Sequence, residues 1–366
     1  MKKTYSVLIG RFQPFHLGHL EIVKKALEQT DELILLFGSH NESRSVRNPL
    51  TTSERMKITQ ASLVDAGIDL ERVHMAPLEN YTYNLNRWVE EVQDVVRTVI
   101  FRKFSPDSFD IKLIGHNKDS SSFYLNLFPS WGSINVENYK KIDATTIRKQ
   151  MFEAEHEIFH NDFSVANVTP SASNFLKEWA LSRAFETLID EWRIIEDYKK
   201  SWTPGGLQTF FNEKGEPVQV QVGPPYPATF QTVDAVVTQS GHILMVTRGA
   251  APGKGLLALP GGFVNVDESL EDAALRELEE ETKIKVPQAV LRGSIVWDRT
   301  FDDPHRSARG RTITQAFHID LKPGPLPKVK GSDDAIKAQW IPLTELDGTM
   351  IFEDHLQIIR TMTGKK

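Results

Sequence analysis

Apolar residues fall into two different rhythms along the chain. From Tyr5 onward, short apolar runs (SVLIG, ELILLFGS, DIKLIGH) alternate with segments such as LEIVKKALEQ and RWVEEVQDVVRTVI, where apolar positions recur every three or four residues. The runs have the length of buried strands and the recurrent segments the spacing of amphipathic helices, so the alternation predicts βαβ units on a parallel sheet. Ser171 to Trp202 carries apolar residues at helical spacing behind a serine start, which predicts one or two helices closing this first domain. The following stretch, TPGGLQTFFNEKGEPVQVQVGPPYPATF, is rich in Pro and Gly and predicts a linker. Beyond it, TVDAVVTQSGHILMVTR reads as strand, turn, strand, a strongly charged helix is expected from about Glu268 to Thr282, and IVWDRTF and TITQAFHID read as strands. The expected division is a first domain over 1–200, a linker over 201–227 and a second, α+β domain over 228–366.

Composition narrows the function classes. The chain has 366 residues, 40% hydrophobic and 25% charged, enough for two globular cores. A formal charge of −6 leaves no broad basic surface, so neither nucleic acid nor anionic lipid is expected as a partner and any phosphate binding must be local. There is no cysteine, which excludes disulfides and thiolate metal sites. The N-terminal MKKTYSVLIGRF has too short an apolar run for a signal peptide, and no run of ~18 apolar residues occurs, so the expectation is a cytoplasmic protein.

Two stretches carry chemistry. GRFQPFHLGH, Gly10 to His19, stands where a strand turns into a helix, with His16 and His19 about the first helical turn. Free backbone N–H groups and the positive dipole end favour a phosphate there, Gly18 lets the backbone come close, and imidazoles at i and i+3 add donors on one side. In the second half, Glu277, Glu280 and Glu281 stand at i, i+3 and i+4, so three carboxylates share one helix face. Their repulsion is relieved by a hard divalent cation such as magnesium, which binds phosphates and activates water, and Arg276 is placed to orient the first glutamate.

Fuller motifs carry resemblances. GRFQPFHLGH resembles the GxFxPxHxGH signature of nucleotidyltransferases, and its Arg11-Phe12-Gln13-Pro14 variant resembles the archaeal-type nicotinamide mononucleotide adenylyltransferases. GSHNESRSVRNPLTTSERMKI matches that family's second-strand and loop motif at Ser39, Arg44, Asn48, Pro49, Thr51, Glu54 and Arg55, and NLNRWVEEV supplies Asn86 and Trp88. GHNKDSSSFYLNLFPSW resembles a further run with Gly115, Lys118, Asp119, Ser121 and Tyr124, and IDATTIRKQM resembles the second phosphate motif with Thr145 and Arg148, Asp143 standing where a serine is common. The resemblance implies an α/β Rossmann-like nucleotidyltransferase domain. In it the 5′-phosphate of nicotinamide mononucleotide (NMN) would attack the α-phosphorus of ATP, giving NAD and pyrophosphate. It assigns His16, His19 and Arg148 to catalysis, and ATP and its phosphates to Gly10, Arg11, Phe12, Gly18, Gly115, Lys118, Asp119 and Thr145. The nicotinamide nucleotide falls to Ser39, Arg44, Asn48, Arg55, Asn86 and Trp88. Read by residue type alone, Arg44 and Arg55 are equally solvated loop arginines, and Trp88, at helical spacing with Val89 and Val92, is equally a core residue.

In GGFVNVDESLEDAALRELEEETKI, Glu268 follows Gly262 after five residues and Arg276-Glu277 follow after seven more, which is identified as the Nudix box, GX5EX7REUXEEXGU. The resemblance implies an α+β Nudix (α/β/α sandwich) domain in which Glu277, Glu280 and Glu281 serve catalysis. Gly262, Glu268, Glu277, Glu280 and Glu281 would hold magnesium, with manganese as an alternative. Lys283 stands in place of the box's last glycine, so an altered helix end is expected. RGAAPGKGLLALPGGF and DDPHRSARGRTITQAF resemble Nudix domains fused to these adenylyltransferases, which hydrolyse ADP-ribose; this assigns ADP-ribose binding to Arg248, Gly261, Gly262, Arg309 and Arg311. In GSDDAIKAQWIPL and FEDHLQII, Asp333, Asp334 and His355 read as surface groups. The whole predicts a bifunctional enzyme of NAD metabolism, a homo-oligomer being compatible with it. Its rivals are an adenylyltransferase for another phosphate acceptor and a Nudix half that senses nucleotide without hydrolysis or hydrolyses another nucleoside diphosphate derivative.

Overall fold

The structure, a computed structural model, describes residues 2–103, 109–115, 127–137, 139–154, 165–201, 207–211, 217–221 and 228–364. It divides into two compact units, Met1–Ile189 and Asp190–Lys366.

The first unit is built on strands β1 (Lys3–Gly10), β2 (Glu32–His40), β3 (Val73–Glu79), β4 (Phe109–Gly115) and β5 (Gly132–Asn135), in the order β3-β2-β1-β4-β5 and parallel throughout. Leu33 to Phe37 of β2 are wholly buried, the unbroken apolar run of a parallel strand covered on both faces. Helices α1 (Leu17–Gln29), α2 (Thr52–Asp65) and α3 (Leu85–Lys103) follow β1, β2 and β3. Helix α3 sets Val92, Val96 and Ile100 against Val7, Ile34, Leu36 and Leu113. The chain leaves β1 toward β2 on one side and returns to β4 on the other, so the loop after β1 lies at the topological switch point where such sheets bind ligands. Helix α4 (Ala144–Glu153) comes later, then α5 (Pro170–Ala180) and α6 (Arg183–Ser201), two helices in the stretch Ser171 to Trp202 where one or two are expected.

The stretch read as a linker contains an antiparallel pair, β6 (Leu207–Phe211) and β7 (Pro217–Gln221). The second unit's mixed sheet follows the order β10-β9-β8-β13-β12, formed by β8 (Phe230–Gln239), β9 (His242–Arg248), β10 (Leu257–Ala258), β12 (Ile295–Phe301) and β13 (Thr312–Asp320). Strand β11 (Gly261–Phe263) pairs with β8, and β14 (Ala335–Pro342) with β9. Helix α7 (Leu270–Thr282) buries Ala273, Ala274, Leu275 and Leu278 against this sheet, which turns its glutamates toward β11. A short α8 (Gln288–Gly293) follows, and α9 (His355–Thr363) ends the fold. Lys283 adopts φ 44° and ends α7 as a left-handed cap, its N–H donating to Glu279 O. The helix end expected to be altered therefore keeps the conformation a glycine would take, at the cost of holding a side chain there. Among the described residues, no helix is long and apolar enough to cross a membrane.

Candidate functional site

In the first unit the motif residues converge on one cleft of about 210 Å³, lined by Arg11, Phe12, Gln13, His16, Gly18, His19, Tyr139, Asp143, Thr145 and Arg148 among others. His16 is the N-cap of α1, and its backbone N–H donates to His19 Nδ1 at 3.3 Å, so neutral His19 carries its proton on Nε2. The two rings stack with centroids 3.6 Å apart. Gly10 and Gly18 keep this loop tight: a Cβ on Gly10 would meet the Phe12 ring at 2.8 Å and one on Gly18 the His16 ring at 3.0 Å.

Opposite stands the start of α4. Asp143 caps it, accepting from Thr146 N at 2.9 Å, so the residue in the usual serine position serves the helix N-terminus. Arg148, 7% exposed, donates to Gln13 O at 2.7 Å and Thr145 Oγ1 at 3.1 Å, while Arg11 donates to Asn48 Oδ1 at 3.4 Å. Neither guanidinium forms an ion pair with a carboxylate among the described residues. Burial first, and then repulsion from Arg47 on Arg11 and from Arg11 and Arg47 on Arg148, lowers the pKa of each to about 10. Cations gathered under mutual repulsion without a paired carboxylate make a site for a polyanion. Arg47 was missed in the sequence, where nothing but its place in the Arg44–Asn48 loop set it apart.

The residues assigned to the nicotinamide nucleotide do not form one set. Arg55 is 1% exposed and donates to the carbonyls of Arg11, Gly38 and Ser39 and to Thr52 Oγ1. Arg44 is taken up by Glu54 and by Pro49 O, and Asn48 donates to Glu42. Ser39 sits at φ 52° at the end of β2. Asn86 is exposed at the start of α3, and Trp88 is partly buried with its ring 6.3 Å from that of Phe128. Gly115 ends β4; Lys118, Asp119, Ser121 and Tyr124 lie outside the described residues.

In the second unit Arg276 organises the box. It donates to Glu268 at 2.7 and 2.9 Å, to Glu277 at 2.8 Å, to Glu280 at 2.9 Å and to Phe263 O at 3.2 Å. Its guanidinium, with Asn265 N–H, holds Glu268 down to about 2. Gly262 lets the Glu277 carboxylate come close to the backbone, since a Cβ there would stand 2.6 Å from Glu277 Oε1 and displace it. Glu281 accepts from Gly261 N at 3.1 Å, and burial lifts its carboxyl to about 8; burial also lifts Glu277, with Glu280 and Asp333 repelling it. These carboxylates are short of positive charge, and their all-oxygen donors suit a hard divalent cation. As they stand Glu268, Glu277 and Glu280 face Arg276 while Glu281 turns to Gly261 N, and among the described residues no three His, Asp or Glu groups are already disposed as a ligand set.

Beside the box, Arg248 stacks on the Phe352 ring at 4.0 Å and donates from Nε to Pro252 O, and Arg309 lies 5.7 Å from the Phe263 ring. Arg311 is tied to Asp302 O at 2.6 Å. Burial first, then Arg309, lowers the pKa of Arg248. Arg306 is held by Asp354 at 3.0 and 3.1 Å. His355, expected at the surface, is buried with Nδ1 accepting from Leu259 N at 2.9 Å, and burial takes its pKa to about 3.

Residues 7–150 match the Cytidylyltransferase-like family and residues 229–362 the NUDIX domain family. A nicotinamide/nicotinic acid mononucleotide adenylyltransferase of Acinetobacter baylyi is 34% identical over 193 residues, 52% of this chain and 95% of that protein. The crystal structure of a bifunctional NMN adenylyltransferase/ADP ribose pyrophosphatase from Francisella tularensis is 35% identical, with a TM-score of 0.85 over 99% of each chain. A second such structure from Francisella tularensis, complexed with AMP and a Mn ion, is 32% identical with a TM-score of 0.83, again over 99% of each chain.

Proposed function

The chain belongs to the family of bifunctional NMN adenylyltransferase/ADP-ribose pyrophosphatases, and we propose that it performs both reactions. The first unit joins ATP and NMN into NAD and pyrophosphate; the second splits ADP-ribose into AMP and ribose 5-phosphate. The observation that carries this reading is electrostatic: one unit gathers the half-buried Arg11 and the buried Arg148 with no paired carboxylate among the described residues, the other gathers carboxylates about a single arginine.

Adenylyl transfer needs positioning and charge stabilisation rather than a protein nucleophile, because the phosphate of NMN attacks and pyrophosphate leaves. Arg11, Arg148 and the N–H groups opening α1 hold the triphosphate, and His19 presents its Nε2 proton to the negative charge that grows on it. Gln13 keeps Arg148 in place, its side chain bridging Leu50 N and O at 3.0 and 2.8 Å while its own carbonyl accepts from Arg148.

In the second unit Arg248 and Arg309 take the diphosphate, each guanidinium lying over an aromatic ring. Glu277, Glu280 and Glu281, with Glu268 and Gly262, would hold magnesium, which when bound would supply positive charge to polarise the diphosphate toward water. The test is product analysis on the intact protein with magnesium, giving ATP plus NMN in one reaction and ADP-ribose in the other. NAD in the first and AMP in the second are expected, and Glu280→Gln should abolish AMP release while leaving NAD formation intact. NAD without AMP from the unaltered protein sinks the hydrolase reading; AMP without NAD sinks the choice of acceptor.

A further inference from the structure

Neither reaction uses the FEDH segment, Phe352 to His355. It runs beside the chain that leads into Gly261 and Gly262: Ile351 lies parallel to Leu257, Phe352 N donates to Leu257 O at 2.8 Å, and Leu259 N donates to His355 Nδ1. Three of its side chains have structural partners, since Phe352 supports Arg248, Asp354 grips Arg306 and His355 accepts from the backbone. Glu353 differs. Its backbone is left-handed, with φ 43°, a conformation that is strained for a non-glycine residue and that collects at ligand clamps.

Glu353 Oε1 accepts from Ala308 N at 3.2 Å; Oε2 has no hydrogen-bond partner among the described residues, and the residue remains partly exposed. Its bond to Ala308 N seats the carboxylate beside Arg309, and the preceding Phe352 carries Arg248 on its ring, so both arginines act on it, with Arg306 and the like-charged Asp354 also near. The carboxylate therefore stands among the arginines that flank the box. A negative charge beside two arginines weakens their hold on a diphosphate unless it accepts hydrogen bonds from something the diphosphate carries. In ADP-ribose the flanking groups are riboses, whose neighbouring hydroxyls are paired donors, and a carboxylate is a pure acceptor.

We propose that Glu353 recognises the vicinal hydroxyls of a ribose attached to the bound diphosphate, as a specificity-determining residue of the second unit. The inference rests on the ADP-ribose hydrolase reading. Steady-state kinetics of Glu353→Gln in the full chain tests it, because glutamine keeps the bond to Ala308 N but removes the charge that takes a hydroxyl pair. A charged acceptor's loss should raise KM for ADP-ribose about tenfold to a hundredfold, with kcat within about threefold and thermal stability unchanged. ADP as a competitive inhibitor assigns the ribose: an unchanged inhibition constant means the terminal ribose, an equally raised one the adenosine ribose. An unchanged KM overturns the proposal, as does a fall in kcat with altered pH profile at constant KM, which would make Glu353 a proton acceptor. A fall in thermal stability with weakened magnesium binding overturns it in favour of a structural role. Failure of the unaltered protein to release AMP instead defeats the underlying reading, and the inference with it.

Discussion

Arg55→Met separates a structural arginine from a ligand-binding one. The guanidinium donates to the carbonyls of Arg11 and Gly38 at 2.7 Å each, to that of Ser39 at 3.1 Å and to Thr52 Oγ1 at 2.8 Å. Methionine roughly fills the volume and leaves three carbonyls without that donor. At about 1–3 kcal/mol for each orphaned buried acceptor, the loss is roughly 3–9 kcal/mol. Against it stands the cost of keeping a cation there: burial takes the pKa of Arg55 from 12.5 to about 10, equivalent to about 3 kcal/mol that methionine does not incur. The net expectation is a destabilisation of about 3 kcal/mol, or roughly 6–12 °C in the melting temperature of a unit this size. Because the stranded carbonyls belong to the loop carrying Arg11 and to the end of β2, NAD formation should fall about tenfold or more by misplacement of the cleft. Calorimetry of the intact protein, read beside NMN-dependent kinetics, decides the matter. An unchanged melting temperature with a raised KM for NMN would refute the strut and return Arg55 to the nucleotide.

Arg148→Ala removes a buried cation from the cleft proposed to take the triphosphate and should lower kcat/KM for ATP about 10²–10³-fold in an NAD-forming assay, with lysine restoring only part; an unchanged rate would remove Arg148 from the chemistry. Glu281 has a native carboxyl pKa of about 8 against 4.5 for the ordinary group, so the metal-free native state binds that proton more tightly than the unfolded chain. Its favourable contribution is complete below about pH 4.5 and lost as pH rises toward 8, so in chelator the melting temperature should drop between about pH 5 and 8.5 more steeply than in Glu281→Gln, and magnesium should recover it at the alkaline end. Equal slopes for the two proteins would refute this. Lys283→Gly relieves a left-handed side chain and should stabilise the second unit by about 0.5–1 kcal/mol in thermal unfolding; a loss of stability would mean that the lysine makes a contact worth more than the strain.

What the sequence disclosed follows from the range over which each feature is determined. The unbroken apolar run of β2, the three-and-four spacing of α3 and the i, i+3, i+4 glutamates of α7 are local, and each reads correctly because helix and strand periods alone place those side chains. Arg55 is the opposite case: its partners come from Arg11, Gly38, Ser39 and Thr52, brought together only when β1, β2 and α2 are assembled, and an arginine in a polar loop looks the same whether it clamps carbonyls or faces solvent. His355 and Glu353 extend the point. His355 reads as a surface group and Glu353 carries no signal, yet the pairing of Ile351 with Leu257 draws the segment in beside the box glycines, burying an imidazole as a backbone acceptor and leaving a carboxylate on a left-handed backbone beside two arginines. Spacing within one element identifies residues that share a face. It is silent on which face of a second element they will meet: Arg276, on the helix of the glutamates it orients, is legible, whereas Arg55 behind Arg11 and Phe352 beneath Arg248 are of that second kind.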